Sequence, residues 1–194
     1  MLSLIFVPKG RSSLATRSLV LGLASATFVS TSVAGAATQG TLGATSTGSI
    51  TITASVPNRA QITGLTDITF SSVDPSSAAT STQSDCVWSN TATKGYSIKA
   101  TGSGTSGAFT LASGALTPVP YSVQWAASTG QSSGTALTAG TALTGQVTTA
   151  TTPTCSSSPT TTSSLIVTIA AADLQGMAAA TSYSGTLTLL VTPQ

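Results

Sequence analysis

Short runs of alternating apolar and polar residues, separated by turn-forming residues, are the feature that most constrains this 194-residue chain. The runs follow one another at roughly ten-residue spacing, with Gly, Pro, Ser and Asp between them. Alternation with a period of two places every second side chain on one face of a pleated strand. Only residues 171–180 (AADLQGMAAA) offer as much as one helical turn. The pattern predicts an all-β chain folded as an antiparallel sandwich or barrel.

Each predicted strand has one apolar face. The first begins at Ser49 and alternates Ile50, Ile52, Ala54 and Val56 with Thr51, Thr53 and Ser55. Residues 129–159 show a weak pattern and predict one or two edge strands with a long loop. The inward residues predicted for the other strands are Ile68 and Phe70; Cys86 and Trp88; Tyr96, Ile98 and Ala100; Phe109 and Leu111; Tyr121, Val123 and Trp125; Leu165, Val167 and Ile169; and Tyr183, Leu187, Leu189 and Val191.

The N-terminus has the pattern of a secretory signal peptide. Three basic residues are followed by an apolar run, residues 18–29, that is too short and too interrupted to span a bilayer. Small residues at Ala34 and Ala36 predict cleavage after Ala36. We therefore expect residues 1–36 to be removed on export, with a retained N-terminal anchor as the alternative.

Removal of that segment changes the charge. The full chain carries a formal +2, whereas residues 37–194 keep three basic residues against four aspartates, a net charge of −1. No basic patch remains to bind nucleic acid, and a near-neutral surface disfavours docking on anionic membranes. We expect neither a nucleic acid nor a small-molecule substrate as a partner.

The residues needed for catalysis or metal binding are scarce. The sequence contains no His and no Glu, so acid–base chemistry would depend mainly on four aspartates. These lie far apart in turn-like contexts, such as Asp74 in VDPSS and Asp173 in AADLQ, where a side chain bonded to backbone is the ordinary role. Two cysteines without His leave a zinc site incomplete. We expect no enzyme, no catalytic, cofactor-binding or metal-binding residue, and no cofactor.

Cys86 and Cys155 are the only cysteines of the chain. In an exported protein, a single pair of cysteines predicts a disulfide. The bridge would close a loop of about 70 residues, for which the chain-entropy model gives a stabilisation of about 4 kcal/mol.

Four stretches of the sequence resemble a known family of pilus subunits. They are similar to subunits of chaperone–usher pili, of the archaic and alpha-type fimbrial kind that includes the spore coat protein U-like domain. The resemblance runs from about Gly48 to Val191. It departs from the family in one respect, because many such domains have a cysteine shortly after the N-terminal strand, where residues 56–62 contain none. The four stretches are GSITITASVP (48–57), LTDITFSSVDP (65–75), DCVWSNTATKGYSIKATGSG (85–104) and YSGTLTLLVTP (183–193).

The resemblance implies an incomplete immunoglobulin-like sandwich that lacks one strand. A periplasmic chaperone would first fill the resulting groove, and the N-terminal donor strand of the next subunit would then replace it, building a head-to-tail fibre at an outer-membrane usher. The fibre would serve adhesion or biofilm formation at the cell surface. The implied donor residues are Ile50, Ile52, Ala54 and Val56, and the implied acceptor groove is formed by Leu187, Leu189 and Val191.

The expected organisation is a signal peptide (1–36), a leader with the donor strand (37–57) and a pilin-like sandwich domain (58–194). From the pattern alone, the strand at Ser49 could equally fold back into its own domain. The chain would then be a self-contained secreted β-sandwich that acts as a binding module or adhesin. A secreted hydrolase is disfavoured by the missing catalytic residues.

Overall fold

The computed structural model describes residues 36–194 and confirms the prediction of an all-β chain. Residues 1–35 of the predicted signal peptide lie outside the described residues. The described residues form two units, 36–54 and 55–194. In the first unit, Thr38 and Ser49 form an isolated antiparallel bridge through two backbone hydrogen bonds of 2.9 Å.

The second unit contains ten strands and one short helix between residues 55 and 194. A 3₁₀ turn at Thr105–Gly107 precedes the fourth strand. The elements are β1 (Ala60–Thr63), β2 (Ala79–Ser89), β3 (Gly95–Gly102), β4 (Thr110–Leu111), β5 (Val119–Pro120), β6 (Ser122–Ala126), β7 (Thr135–Ala136), β8 (Ala142–Val147), β9 (Ser163–Ile169), α1 (Ala171–Gln175) and β10 (Leu187–Pro193).

The strands form two main antiparallel sheets. One sheet has five strands in the order β1-β2-β9-β6-β7, and the other has three in the order β10-β3-β8. The short strands β4 and β5 pair with each other. In the large sheet Val167 lies between Ser81 and Val123, and in the small sheet Ile98 lies between Val191 and Leu143. Apolar side chains therefore line up across the small sheet and between β6 and β9 of the large one, which is how alternation fixes register.

Both sheets contribute to one hydrophobic core. It is formed chiefly by Val87, Tyr96, Ile98, Val123, Trp125, Leu165 and Val167. The inward faces predicted for β3, β6 and β9 are confirmed in so far as their predicted residues belong to this core, although Ile166 on the other face of β9 is buried as well. Burial of each large apolar side chain stabilises the fold by about 1.5–3 kcal/mol. The two packed sheets form a β-sandwich-like arrangement.

Two segments with strand-like alternation are not paired as strands within the described chain. No strand is present from residue 50 to residue 59, and pairing begins only at Ala60. The segment from Leu65 to Phe70 is also not a strand, although Ile68 and Phe70 pack against the core as the pattern predicted. Alternation selects which side chains are buried, but a strand also requires a neighbour that supplies hydrogen bonds. Neither segment has such a neighbour among the described residues.

The orientation predicted for Cys86 and Trp88 is wrong. The two residues share a face of β2, but that face points away from the main core, into which Val87 projects instead. The connection between β8 and β9 covers this outer face, so Cys86 packs with Ala150 and Cys155 in a small cluster that Trp88 flanks. A strand covered on both sides is buried on both sides, and alternation alone does not tell which face meets the main core.

The weakly patterned region 129–159 matches its prediction. It contains β7 and β8, each of which lies at the edge of a sheet, followed by a long connection to β9. The single helical turn expected near residue 171 is α1. Within residues 36–194, no helix has the length and apolar character needed to cross a membrane.

Candidate functional site: an apolar groove beside the last strand

The second unit has a groove of about 810 Å³. Side chains of β9 and β10 line it, and so does the stretch from Leu65 to Phe70. Its apolar residues include Phe70, Leu165, Val167, Ile169, Leu187 and Leu189. Among the described lining residues, Asp67 is the only charged side chain, and it is exposed. Uncharged polar residues, among them Gln83 and Ser184, complete the lining, so the surface suits an uncharged, partly apolar occupant rather than a charged ligand.

The last strand gives the groove a free edge. β10 pairs with β3 on one side only, because it lies at the end of the three-stranded sheet. Along β10 the half-buried residues Leu187, Leu189 and Val191 alternate with the exposed Thr188, Leu190 and Thr192. A strand at the end of a sheet has backbone N–H and C=O groups without a strand partner on one side.

Most residues of the stretch 65–73 line the groove, and their backbone, like the outer edge of β10, has no strand partner. β1 stops pairing with β2 at Thr63, opposite Cys86, and the next residue, Gly64, has φ +86°. Glycine adopts this left-handed conformation without strain, and the turn takes the chain away from the register of β2. Within the described residues, no backbone–backbone hydrogen bond involves residues 65–73.

A side-chain contact replaces the missing strand pairing at one point. Both the backbone N–H and the hydroxyl of Thr66 donate to Gln83 Oε1, at 2.9 and 2.8 Å. Gln83 belongs to β2 and lines the groove. The stretch is therefore held near β2 while most of its backbone donors and acceptors stay free.

Of the three residues that the resemblance implies for the acceptor groove, two line the groove described here. Leu187 and Leu189 line the groove and pack against the core. Val191 also packs against the core, but it is not part of the groove lining. Residues that the sequence did not assign to the groove, including Phe70, Ile169 and Leu174, complete its apolar lining.

The predicted donor residues are highly exposed. Relative exposure is 74% for Ile50, 84% for Ile52 and 81% for Val56, and Ala54 is exposed as well. Large apolar side chains in water cost free energy unless a partner covers them, and a run of several is unusual on a soluble surface.

The predicted disulfide between Cys86 and Cys155 is present, with the Cα atoms 5.9 Å apart. It links β2 to the connection that precedes β9. The hydroxyl of Thr148, in the same connection, donates to the backbone carbonyl of Val87. Thr162 both donates its hydroxyl to the Val87 carbonyl at 3.0 Å and accepts from the Val87 N–H at 2.9 Å. The covalent bond and these hydrogen bonds fix the connection over the outer face of the large sheet.

Two of the aspartates occupy very different environments. Asp74 accepts a hydrogen bond from the Ser76 N–H at 2.8 Å, which lowers its pKa and matches the turn role predicted for it. Asp85 departs from the turn-like context that the sequence suggested, because it is completely buried within β2. Among residues 36–194, no group of three or more His, Cys, Asp or Glu side chains could hold a metal ion.

The geometry thus consists of an apolar groove bordered by unpaired backbone and, in the same chain, an exposed apolar segment with period-two alternation. No model of a known protein family matches this sequence, and no curated protein matches it.

Proposed function

We propose that this protein is a structural subunit of a surface pilus or fimbria that assembles by donor-strand complementation. The observation that carries the proposal is the groove beside β10, which is apolar and is bordered by backbone without strand partners. A groove of this kind is suited to receive an extended segment as an additional strand.

The chain itself contains a segment of suitable chemistry. Ile50, Ile52, Ala54 and Val56 fall on one side of an extended segment and would insert into the groove of another copy. Thr51, Thr53 and Ser55 would face solvent. The segment and the groove carry no charge apart from Asp67 at the exposed border, so insertion would not bury an unpaired charge.

Insertion would add a fourth strand next to β10. The sandwich would then become the complete form of an immunoglobulin-like pilin domain, with the donor segment supplying main-chain hydrogen bonds to the free edge. Burial of each Ile or Val side chain would contribute about 1.5–3 kcal/mol to the joint.

The proposed contact is head-to-tail, because the donor segment and the groove are different surfaces of the same chain. A heterologous contact that does not close generates an open filament rather than a ring. Export would precede assembly, and the disulfide is compatible with an oxidising compartment. A periplasmic chaperone and an outer-membrane usher would be the assembly partners, and the fibre would serve adhesion or biofilm formation.

A self-contained secreted β-sandwich, acting as a binding module or adhesin, is the second candidate. One observation favours it: Val87, Tyr96, Ile98 and Trp125 are already fully buried without any added strand. A domain with such a core has part of its packing in place as a monomer.

Electron microscopy of material sheared from the surface of producing cells would separate the two candidates. A label against this chain should decorate fibres along their length if it is a structural subunit. Labelled material without fibres, found only as monomers, would contradict the assembly proposal and favour the self-contained module.

A further inference from the structure

Asp85 is a buried carboxyl group without a hydrogen-bond partner. Its relative exposure is 0%, and neither Oδ1 nor Oδ2 has a partner among the described residues. Asp85 lies two residues before Val87 on β2, so its side chain projects from the same face towards the space between the sheets. Buried carboxyl groups in folded proteins are ordinarily paired or hydrogen-bonded.

Two neighbouring polar groups bond to the backbone of Asp85 and not to its carboxyl group. The Thr162 N–H and the Ser163 hydroxyl both donate to the Asp85 carbonyl, at 2.8 and 3.0 Å. Ser163 is also the residue opposite Asp85 in the register of β2 and β9. On the other side, the backbone of Asp85 is close to Gly64, which has no side chain to offer. The carboxyl group therefore lies in a neutral environment that does not compensate a negative charge.

No charged group faces Asp85 from the surrounding strands. β1 and β9 contain no titratable residue, and neither do β8 and β10 of the opposite sheet. On β3, Tyr96 is the titratable residue that points into the core, and its hydroxyl accepts the Trp125 indole N–H. Lys99 of β3 alternates with the core residues Ile98 and Ala100 and so faces away from the core.

We propose that Asp85 makes the stability of the folded domain depend on pH, so that protonation of this one carboxyl group stabilises the fold in mildly acidic solution. Burial raises the pKa of Asp85 from 3.8 to about 6. In the unfolded chain the same carboxyl group loses its proton near its ordinary pKa. Between these two values the folded state binds more protons, so stability falls as pH rises. The loss is complete once pH passes the folded-state pKa.

Asp74 has the opposite effect on the pH dependence of stability. Its hydrogen bonds favour the ionised carboxylate and lower its pKa. The two effects occur in different pH ranges. Measurements at about pH 5 and about pH 7.5 leave ordinary aspartates ionised throughout and report mainly on Asp85. The proposal does not depend on the groove having an occupant.

Urea unfolding of the oxidised full chain at these two pH values tests the proposal. For the wild type, we expect the unfolding equilibrium constant to rise about tenfold from the lower to the higher pH. Asp85→Asn, which has nearly the same shape and no charge, should lose this dependence and be the more stable protein at about pH 7.5. Asp67→Asn is the matched control at an exposed aspartate and should keep the wild-type dependence.

Parallel pH profiles for the wild type and Asp85→Asn would overturn the proposal, as would a wild type that becomes more stable with rising pH. If Asp85→Asn does not fold, carboxyl-carbon NMR of the wild type decides the matter. An Asp85 carboxyl resonance that titrates near pH 6 supports the proposal. A resonance that titrates near the ordinary aspartate pKa of 3.8 contradicts it.

Discussion

The indole N–H of Trp125 donates a hydrogen bond of 3.1 Å to the hydroxyl of Tyr96 inside the hydrophobic core. Trp125 belongs to β6 of the five-stranded sheet, and Tyr96 belongs to β3 of the three-stranded sheet. Both side chains are almost completely buried. The bond therefore joins the two sheets and satisfies a polar group that would otherwise lack a partner in an apolar surrounding.

Tyr96→Phe should destabilise the domain by about 1–3 kcal/mol, because it leaves the buried Trp125 N–H without an acceptor. Chemical unfolding followed by tryptophan fluorescence measures the change. Tyr121→Phe is the control, since Tyr121 is half-buried and its ring stacks on Phe109 at a centroid distance of 5.7 Å, a contact that Phe would keep. Equal losses for both variants would mean that the Tyr96 hydroxyl has no special role.

Reduction of the disulfide should destabilise the domain by about 2–5 kcal/mol. Cys86→Ser and Cys155→Ser should each show this loss, and added reductant should bring the wild type to a similar stability. Peptide mapping without reductant should recover the peptides of Cys86 and Cys155 joined to each other. Free thiols in secreted material, or a reductant without effect on stability, would contradict the expectation.

Export should remove the N-terminal segment. The intact mass of the secreted protein should correspond to a chain that begins at Ala37, or within one or two residues of it, because Ala34 and Ala36 provide the small residues that signal peptidase needs. A full-length chain retained in the membrane fraction would instead support the N-terminal anchor.

Much of the sandwich follows from the alternation of residues. The buried faces of β3, β6 and β9 were predictable because one face of each strand is distinctly more apolar, and Tyr96, Val123 and Leu165 are buried accordingly. The disulfide was predictable because Cys86 and Cys155 have no other partners in the sequence.

Other features depend on tertiary contacts that local pattern does not record. The orientation of Cys86 was misjudged because the connection before β9 covers the outer face of the sheet. The stretch from Leu65 to Phe70 has the side chains of a strand, but Gly64 turns it away from pairing with β2. The burial of Asp85 could not be predicted from local pattern, because an aspartate is rarely fully buried.

Part of the groove lining could be predicted from the sequence. Leu187 and Leu189 follow from the alternation of the last strand and from the family resemblance. Phe70, Ile169 and Leu174 come from three distant parts of the chain, and only the folded structure brings them together.

Ile52→Asp should block assembly by preventing donation. If Ile52 enters the groove of another copy, the substitution buries an unpaired carboxylate there, at a cost of several kcal/mol. Thr53→Asp is the matched control, because Thr53 would face solvent and a charge there should change assembly little. Electrophoresis without boiling measures the result as the presence or absence of SDS-resistant ladders. Ladders from Ile52→Asp, or from a chain without residues 37–56, would contradict the donor role.

Leu189→Asp should block acceptance while leaving donation intact. Leu189 lines the groove, whereas the adjacent Leu190 faces away and is exposed, so Leu190→Asp is the control.

Leu189→Asp and Ile52→Asp should each remain monomeric alone, since one lacks a usable groove and the other a usable donor segment. Mixed together, they should form a dimer and nothing longer, because the first chain donates to the second and neither free end can extend. Analytical ultracentrifugation of the mixture measures the size. A mixture that stays monomeric although both chains fold, or one that forms long polymers, would show that these two residues do not form opposite sides of one joint.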